Sequence, residues 1–275
     1  MIKKRFISML VLLAAVATGA MAQTTYKVSV KEGTEDANKW EIAPAEATTA
    51  GVAAGTTVTA TYSGTKKVKS VKAVKKAAAV TTLNNTIKAW TAGSYVVPSG
   101  GLTYSDAITV SGDVTLTLTD GETLTLNKGI SLASGATLTV EGNGTMNVNG
   151  TNNSTASTVA GSTGTLILTS GTLTATGGNG GNIGNNADDS HGGNGGVAIN
   201  GSVIVSGGTL TARGGNGGNV GNDCSDFCSG GNGGDAISGT LTKNGGSTSV
   251  NDGSNGSIGS DCEYCTAGTG GKGHN

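Results

Sequence analysis

Aromatic residues are scarce in this chain, and so are charged residues and proline. Of the 275 residues, 3% are aromatic, 13% are charged and two are proline, whereas 49 are glycine. This composition is typical of disordered segments, but Leu, Val and Ile recur at every second position, which indicates β-strands. A formal net charge of −1 gives no reason to expect nucleic acid or an acidic surface as partner.

A long apolar run occurs only near the N-terminus. Basic residues at positions 3–5 precede an apolar run from Phe6 to Val16, and Ala20-Met21-Ala22 is a small-x-small cleavage motif. This order is typical of a secretory signal peptide, and the run is too short to cross a bilayer. We therefore predict an exported protein without a transmembrane span, whose signal peptide, residues 1–22, is cleaved between Ala22 and Gln23.

From Ala107 to Val250 short strand patterns repeat. At an interval of 22 positions, Ile108 recurs as Ile130, Thr115-Leu116-Thr117 recurs at 137–139, and Thr123-Leu124-Thr125 aligns with 145–147. A repeat of three such short strands cannot bury a face alone and must stack on its copies. We predict a parallel β-helix of about five coils. Its inward columns are expected to place Leu116, Leu138 and Leu166 directly above one another.

Farther along the chain the interval lengthens to 37 or 38 positions. Leu173-Thr174-Ala175 returns at 210–212, and the Gly-Gly-Asn-Gly-Gly sequence at 192–196 returns at 230–234. The added residues lie in two Gly/Asn segments, 177–195 and 214–233. We interpret these segments as loops that grow from one corner of an otherwise constant coil.

The residues before the repeats differ in character. Residues 24–76 alternate apolar and polar positions between Gly-containing turns, which predicts a small antiparallel β module with Trp40 and Ile42 in its core. Residues 77–89 are interpreted as a linker or cap, and residues 90–271 as the β-helix with its Gly/Asn-rich loops. The expected fold class is therefore all-β.

Two segments resemble known bacterial proteins. The segment from Tyr26-Lys-Val-Ser-Val through Trp40 to the lysine-rich stretch ending at Lys76 resembles a short module near the N-terminus of exported proteins of gut Bacteroidales. Residues 90–130 and the later Gly-Gly-Thr-Leu-Thr-Ala elements resemble the repeats of pectin-lyase-like right-handed β-helices in surface proteins of gut bacteria. The resemblance implies right-handed coils and an exported protein of a Gram-negative bacterium, which is extracellular, at the outer surface or in the periplasm. It implies no activity, because this fold hosts lyases, hydrolases, adhesins and passive stalks.

The four cysteines lie in the long loops. Cys224 and Cys228 are in one loop, and Cys262 and Cys265 follow 38 and 37 positions later in the next. In an exported chain we expect disulfides. The bonds could form within each loop or between stacked loops, so the sequence leaves the pairing open. Four thiolates around a zinc ion are the less favoured alternative.

Acidic side chains in the same loops are calcium candidates. Gly230 to Ile237 fits the pattern G-G-x-G-x-D-x-U of calcium-binding repeats, but the equivalent of Asp235 one coil earlier is Val197. The candidates are Asp223, Asp226, Asp235, Asp261 and Glu263, and Asp188 and Asp189 lie in the loop one coil before them. We favour the simpler interpretation, in which such residues form corners and keep a Gly-rich loop solvated, and we predict no cofactor.

An enzyme of this fold class would be a polysaccharide lyase or glycoside hydrolase, which requires close carboxylates or acids beside a basic residue. The acids within the coils are expected at turns, at positions 113, 120, 122 and 141, and Arg213 is the only arginine after the signal peptide. We therefore predict no catalytic residues. The expected function is that of a surface or secreted interaction protein, adhesin-like, with glycans or a host surface as partner. Because the last coil stops without a polar cap, we also expect it to offer backbone groups for end-to-end self-association.

Overall fold

A computed structural model describes residues 7–12, 25–30, 40–43, 52–53, 57–62, 71–75, 80–153, 158–160 and 164–272. The chain divides into two compact units, Met1–Ala79 and Val80–Asn275. The described residues form β-strands and no helix, which confirms the all-β class. The predicted cleavage site at Ala22 and Gln23 lies outside the described residues.

In the first unit the described strands pair antiparallel. These strands are β1 (Ile7–Leu12), β2 (Thr25–Val30), β3 (Trp40–Ala43), β4 (Val52–Ala53), β5 (Thr57–Tyr62) and β6 (Val71–Lys75). They form two sheets, ordered β1-β5-β3 and β4-β2-β6. Strand β1 lies within the predicted signal peptide, and Trp40 and Ile42 both lie in β3.

The second unit contains the other strands, all short. They are β7 (Val80–Thr82), β8 (Ala89–Trp90), β9 (Gly93–Val96), β10 (Leu102–Tyr104), β11 (Ile108–Val110), β12 (Asp113–Leu118), β13 (Thr123–Leu126), β14 (Ile130–Leu132), β15 (Thr137–Gly142), β16 (Thr145–Asn149), β17 (Val159–Ala160), β18 (Thr165–Leu168), β19 (Thr172–Thr176), β20 (Ile199–Asn200), β21 (Ser202–Val205), β22 (Thr209–Arg213), β23 (Ile237–Ser238), β24 (Leu241–Lys243) and β25 (Ser247–Asn251).

These strands form three parallel sheets. Sheet I has the order β8-β11-β14-β17-β20-β23, sheet II the order β7-β9-β12-β15-β18-β21-β24, and sheet III the order β10-β13-β16-β19-β22-β25. The chain visits the sheets in turn, and this arrangement is the predicted parallel β-helix. The described residues give six coils, one more than the expected number of about five, and residues 89–104 supply the first of them.

Inward-facing aliphatic side chains stack in continuous columns. In sheet I the column consists of Ile108, Ile130, Val159, Ile199 and Ile237, each at most 3% exposed. In sheet III the column contains Leu124, Met146, Leu173 and Leu210. Burying one such side chain contributes about 1.5–3 kcal/mol, so these columns hold the coils together.

Sheet II differs from the predicted register by two residues. Val114 pairs with Leu138, and Leu116 pairs with Val140, so the expected stacking of Leu116 on Leu138 is wrong. The expected pairing of Leu138 with Leu166 is confirmed. Two residues separate β11 from β12, whereas four residues, 133–136, separate β14 from β15. Because side chains alternate between faces, a shift of two residues keeps every inward residue inward.

Three aromatic side chains fill the N-terminal end of this core. Trp90 and Tyr104 are at most 1% exposed, and Tyr95 is also buried. The Trp90 ring stacks on Tyr95 at 6.0 Å between centroids and meets Tyr104 edge-on at 6.3 Å. The Tyr104 hydroxyl donates a hydrogen bond to Asn84 O at 2.8 Å, and burial raises the pKa of Tyr104. Tyr104 therefore combines a large apolar surface with a satisfied polar group.

The sequence predicted loops for the Gly/Asn segments. In the structure they form two ordered layers of backbone instead. Three outgoing segments, 177–186, 214–223 and 252–261, lie parallel in one layer. Three returning segments, 191–197, 229–235 and 266–271, run antiparallel to them in the other. We call this structure the glycine layers.

Hydrogen bonds in the glycine layers recur every three residues. Gly214 N and Gly217 N each donate to the next outgoing segment, while Gly215 N and Gly218 N each donate to the returning layer, at 2.8–2.9 Å. A period of three residues per turn is that of a polyproline II helix. An isolated helix of this type has no internal hydrogen bonds, so each segment depends on its neighbours.

Most glycines of the glycine layers have no room for a side chain. A Cβ at Gly218 would lie 1.8 Å from the Gly181 carbonyl oxygen, and a Cβ at Gly180 would lie 1.8 Å from that of Gly193. Any larger residue would therefore push the segments apart, which explains why glycine occupies these positions.

The third position faces solvent and usually holds asparagine. Its side-chain oxygen accepts a hydrogen bond from the backbone one coil later: Asn182 Oδ1 accepts from Asn219 N at 2.8 Å, and Asn219 Oδ1 accepts from Ser257 N at 2.9 Å. The repeat Gly-Gly-Asn thus provides partners for all three N–H groups of each turn.

Candidate functional site

The outgoing and returning segments meet at three stacked tips, residues 187–190, 224–228 and 262–265, which form the candidate site. A small apolar core lies beneath them, separate from the core of the coils. Val220, Cys224 and Cys228 are buried in it, and the residues packed against them are Ile183, Ala187, Ile258, Cys262 and Cys265. This core replaces the glycines at the outer end of the layers and fixes the tips.

Two aromatic side chains project from neighbouring tips. Phe227 is 70% exposed and Tyr264 is 75% exposed, although each is a large ring. Their centroids are 6.3 Å apart and their planes make an angle of 31°. The second unit contains five aromatic residues, of which the other three are buried in the first coil. Paired exposed rings on an ordered scaffold are typical of an interaction site.

Both aromatic residues adopt a left-handed backbone conformation. The φ angle is 50° at Phe227 and 58° at Tyr264. Such a conformation in a bulky residue costs about 1–3 kcal/mol and persists only where the surrounding structure imposes it. Here neighbouring tips hold the backbone: Asp189 N donates to Asp226 O at 2.9 Å, and Thr266 N donates to Cys228 O at 2.9 Å. The rings are therefore held outward against a conformational cost.

The cysteines, expected in disulfides, have free thiols in the structure. The thiols of Cys224 and Cys262 donate to the same acceptor, Gly221 O, at 3.5 and 3.3 Å. Desolvation is the main cause of a raised pKa at Cys224, and the neighbouring Cys262 thiol adds to it. Desolvation also raises the pKa of Cys265, with a contribution from the adjacent Cys228.

The calcium candidates do not converge. Asp223 and Asp261 have φ angles of 54° and 57°. They occupy, in two successive coils, the turn that Asn186 occupies in the coil before them. Asp and Asn tolerate this region of φ, so these acids serve the turn. Asp226, also at positive φ, and Glu263 belong to the tips.

Asp235 lies apart from the other candidates, at the inner end of a returning segment. There its Oδ1 accepts a hydrogen bond from Lys272 N at 2.6 Å. The nonapeptide-like sequence from Gly230 is thus part of the glycine layers. Across the described residues, no group of three or more His, Cys, Asp or Glu side chains is placed to hold a metal ion.

The acids of the coils are also dispersed. Asp113 begins β12 and Glu141 lies within β15, so the expectation that both lie at turns is wrong. Glu141 accepts a hydrogen bond from Thr117 Oγ1 at 3.1 Å. A shallow groove between the first two coils contains Glu122, the one acidic residue among its lining residues. This groove therefore lacks the second carboxylate that a glycoside hydrolase requires.

Comparisons with protein-family models, curated proteins and solved structures found no match to this chain. Within the part of the chain that the structure describes, no helix has the length and hydropathy needed to span a membrane. The assignment of the site thus depends on the geometry of the tips. Phe227 and Tyr264 were not among the site residues predicted from the sequence. Their spacing could have revealed them. Phe227 and Tyr264 are 37 positions apart, which is also the interval between the cysteines that follow them, Cys228 and Cys265.

Proposed function

We propose that the protein is exported and acts as a non-catalytic surface or secreted interaction protein, which binds glycan through Phe227 and Tyr264. The observation that carries the proposal is the exposure of these two rings side by side at the tips. Exposing two large rings loses apolar burial and adds backbone strain, which a purely structural tip would not need. A ligand that covers the rings would recover that burial.

The chemistry of the tips favours a carbohydrate. The C–H face of a sugar ring is apolar and its edge carries hydroxyl groups, so it fits an aromatic surface bordered by acceptors. Asp226 and Glu263 directly adjoin the two aromatic residues in sequence and supply carboxylate oxygens. A few placed polar groups beside apolar surface are the usual means of fixing a ligand's orientation.

Two sequence features support export and a bacterial surface role. The signal-peptide pattern of residues 1–22 supports export from the cytoplasm. The resemblance to pectin-lyase-like repeats and to exported Bacteroidales modules supports a place outside a Gram-negative cell. The dispersed carboxylates of the coils support a binding role over a lyase or hydrolase.

The proposal can be tested by applying the mature chain to an array of dietary and host glycans. We expect retention of a defined glycan class, and a loss of at least about tenfold in affinity, equal to 1.4 kcal/mol, for Phe227→Ala combined with Tyr264→Ala. Val80→Ala is the matched control, since Val80 is another large exposed apolar residue, at 58% exposure, outside the tips. Unchanged binding by the double variant, or an array without any retained glycan, would reject the proposal. Release of unsaturated or reducing ends from the bound glycan would establish an enzyme instead.

A further inference from the structure

The four cysteines occupy two columns that cross neighbouring tips. Ser225 N donates to Ala187 O, and Glu263 N donates to Cys224 O in the same manner one coil later. Ala187, Cys224 and Cys262 therefore occupy equivalent positions in the three tips.

The second column is shown by a parallel bridge between Ser229 and Thr266, the residues that follow Cys228 and Cys265. Thr266 N also donates to Cys228 O at 2.9 Å. Each column thus contains two cysteines, and they lie in adjacent coils. The tip of the preceding coil has Ala187 and Ser190 in this region and no cysteine.

The spacing between adjacent coils suits a disulfide. Parallel neighbours lie about 4.8 Å apart, and disulfides form at Cα separations of about 4.4–6.8 Å. The thiols of Cys224 and Cys262 already share one acceptor oxygen, Gly221 O. The Cys265 thiol also points toward the preceding coil, where Cys224 O lies 4.0 Å from its sulfur.

We propose that two disulfides, Cys224–Cys262 and Cys228–Cys265, join the fifth and sixth coils. For each bond, two thiols lose two protons and two electrons, and a disulfide-containing oxidant accepts them and becomes two thiols. The proposal rests on the export inferred under the proposed function, since an oxidising compartment supplies such an oxidant. It selects one of the pairings that the sequence left open.

These bonds would fix the candidate site. Phe227 directly precedes Cys228, and Tyr264 directly precedes Cys265, so the second disulfide joins the chain immediately beside both rings. Holding a binding surface in its bound geometry improves affinity by lowering the entropy lost on binding. The bonds therefore belong to the same function as the aromatic pair.

The connectivity can be read by peptide mass. The mature chain is oxidised with glutathione disulfide, its remaining free thiols are blocked at acidic pH, and it is then unfolded and digested with trypsin without reduction. Trypsin cuts after Arg213, Lys243 and Lys272, which places the first two cysteines in peptide 214–243 and the other two in peptide 244–272. We expect the two peptides to be covalently linked and to separate on reduction. Unlinked peptides, with either internal disulfides or blocked thiols, would overturn the proposal.

A second digestion assigns the individual bonds. Chymotrypsin is added to the linked tryptic peptides and cuts after Phe227 and Tyr264, between the two cysteines of each tip. The fragments with Cys224 and Cys262 should be joined, as should those with Cys228 and Cys265; the crossed pairing would contradict the proposal. Masses are independent of any ligand, so this result stands even if no glycan binds. If the pairing is found, Cys228→Ser with Cys265→Ser should leave the other bond intact.

Discussion

Phe227 lies beside Tyr264 of the next coil, with 6.3 Å between the ring centroids, and both residues have positive φ angles. The same local geometry thus occurs in two consecutive tips. Since the tips are held by backbone hydrogen bonds between coils, the position of the rings depends on the stacking of the coils and of the glycine layers.

Leu168 tests the core of the coils. It is fully buried in sheet II between Val140 and Val205. Leu168→Ala should lower the free energy of unfolding by about 2–5 kcal/mol, because it removes buried methyl groups and leaves a cavity inside the column. Urea unfolding measures the change. Ser131→Ala, on the exposed side of sheet I, is the control and should change stability by less than about 0.5 kcal/mol; equal effects would contradict a packed column.

Gly218 and Gly184 test the glycine layers. Gly218→Ala would place a Cβ 1.8 Å from the Gly181 carbonyl oxygen, whereas a Cβ at Gly184 meets nothing within 4 Å. We expect Gly218→Ala to destabilise the protein by about 1–3 kcal/mol or more, through overpacking. Gly184→Ala should be neutral or stabilising by up to about 1 kcal/mol, because it restricts the unfolded chain. Thermal unfolding of the two variants compares them, and similar melting temperatures would argue against close-packed layers.

Asn219 tests the hydrogen bonds along the exposed side of the layers. Its Oδ1 accepts from both Ser257 N and Ser257 Oγ. Asn219→Ala should cost about 0.5–1.5 kcal/mol and speed hydrogen exchange at the Ser257 amide. Asn219→Asp keeps the acceptor oxygen and should retain most of the protection. NMR-detected exchange distinguishes the two, and equal exchange rates would show that the side-chain acceptor is unimportant.

The reactivity of the thiols in the reduced protein should depend on pH. The pKa values of Cys224 and Cys265 are raised above the ordinary value of 9.0, mainly by desolvation. Where folding raises the pKa of a thiol, the contribution of that thiol to the stability of the folded protein is fully present below the unfolded-state pKa. This contribution is lost as the pH rises through the folded-state pKa. We expect both thiols to react half-maximally with iodoacetamide above pH 9.0 in the folded protein, and at the ordinary value in urea. Mass spectrometry resolves each cysteine, and matching folded and unfolded profiles would contradict the shift.

The core columns of sheets I and III could be predicted because their apolar residues recur at intervals that match the coil. Sheet II could not be aligned in this way, because Thr115-Leu116-Thr117-Leu118 repeats itself every two residues. Alignments that differ by two residues therefore bury the same kind of side chain, and only the lengths of the corners decide between them. The inward face was predictable, whereas the partner of Leu116 was not.

The glycine layers were missed for a different reason. Gly and Asn are also the residues of turns, so composition favoured loops. The period of three was visible in Gly214-Gly215-Asn216-Gly217-Gly218-Asn219, but its meaning depends on neighbours that a single segment lacks. Likewise, spacing aligned Phe227 with Tyr264, but their exposure depends on the small core beneath the tips.

The period of three also restricts how the length of this chain can change. Inserting one residue into an outgoing segment would move asparagine into a position without room for a side chain, and every residue beyond it would be misplaced by the same step. Only whole Gly-Gly-Asn triplets could be added, with a matching addition on the return path. Insertions and deletions in this part of the gene are thus constrained at the level of protein packing, as frameshifts are constrained at the level of codons.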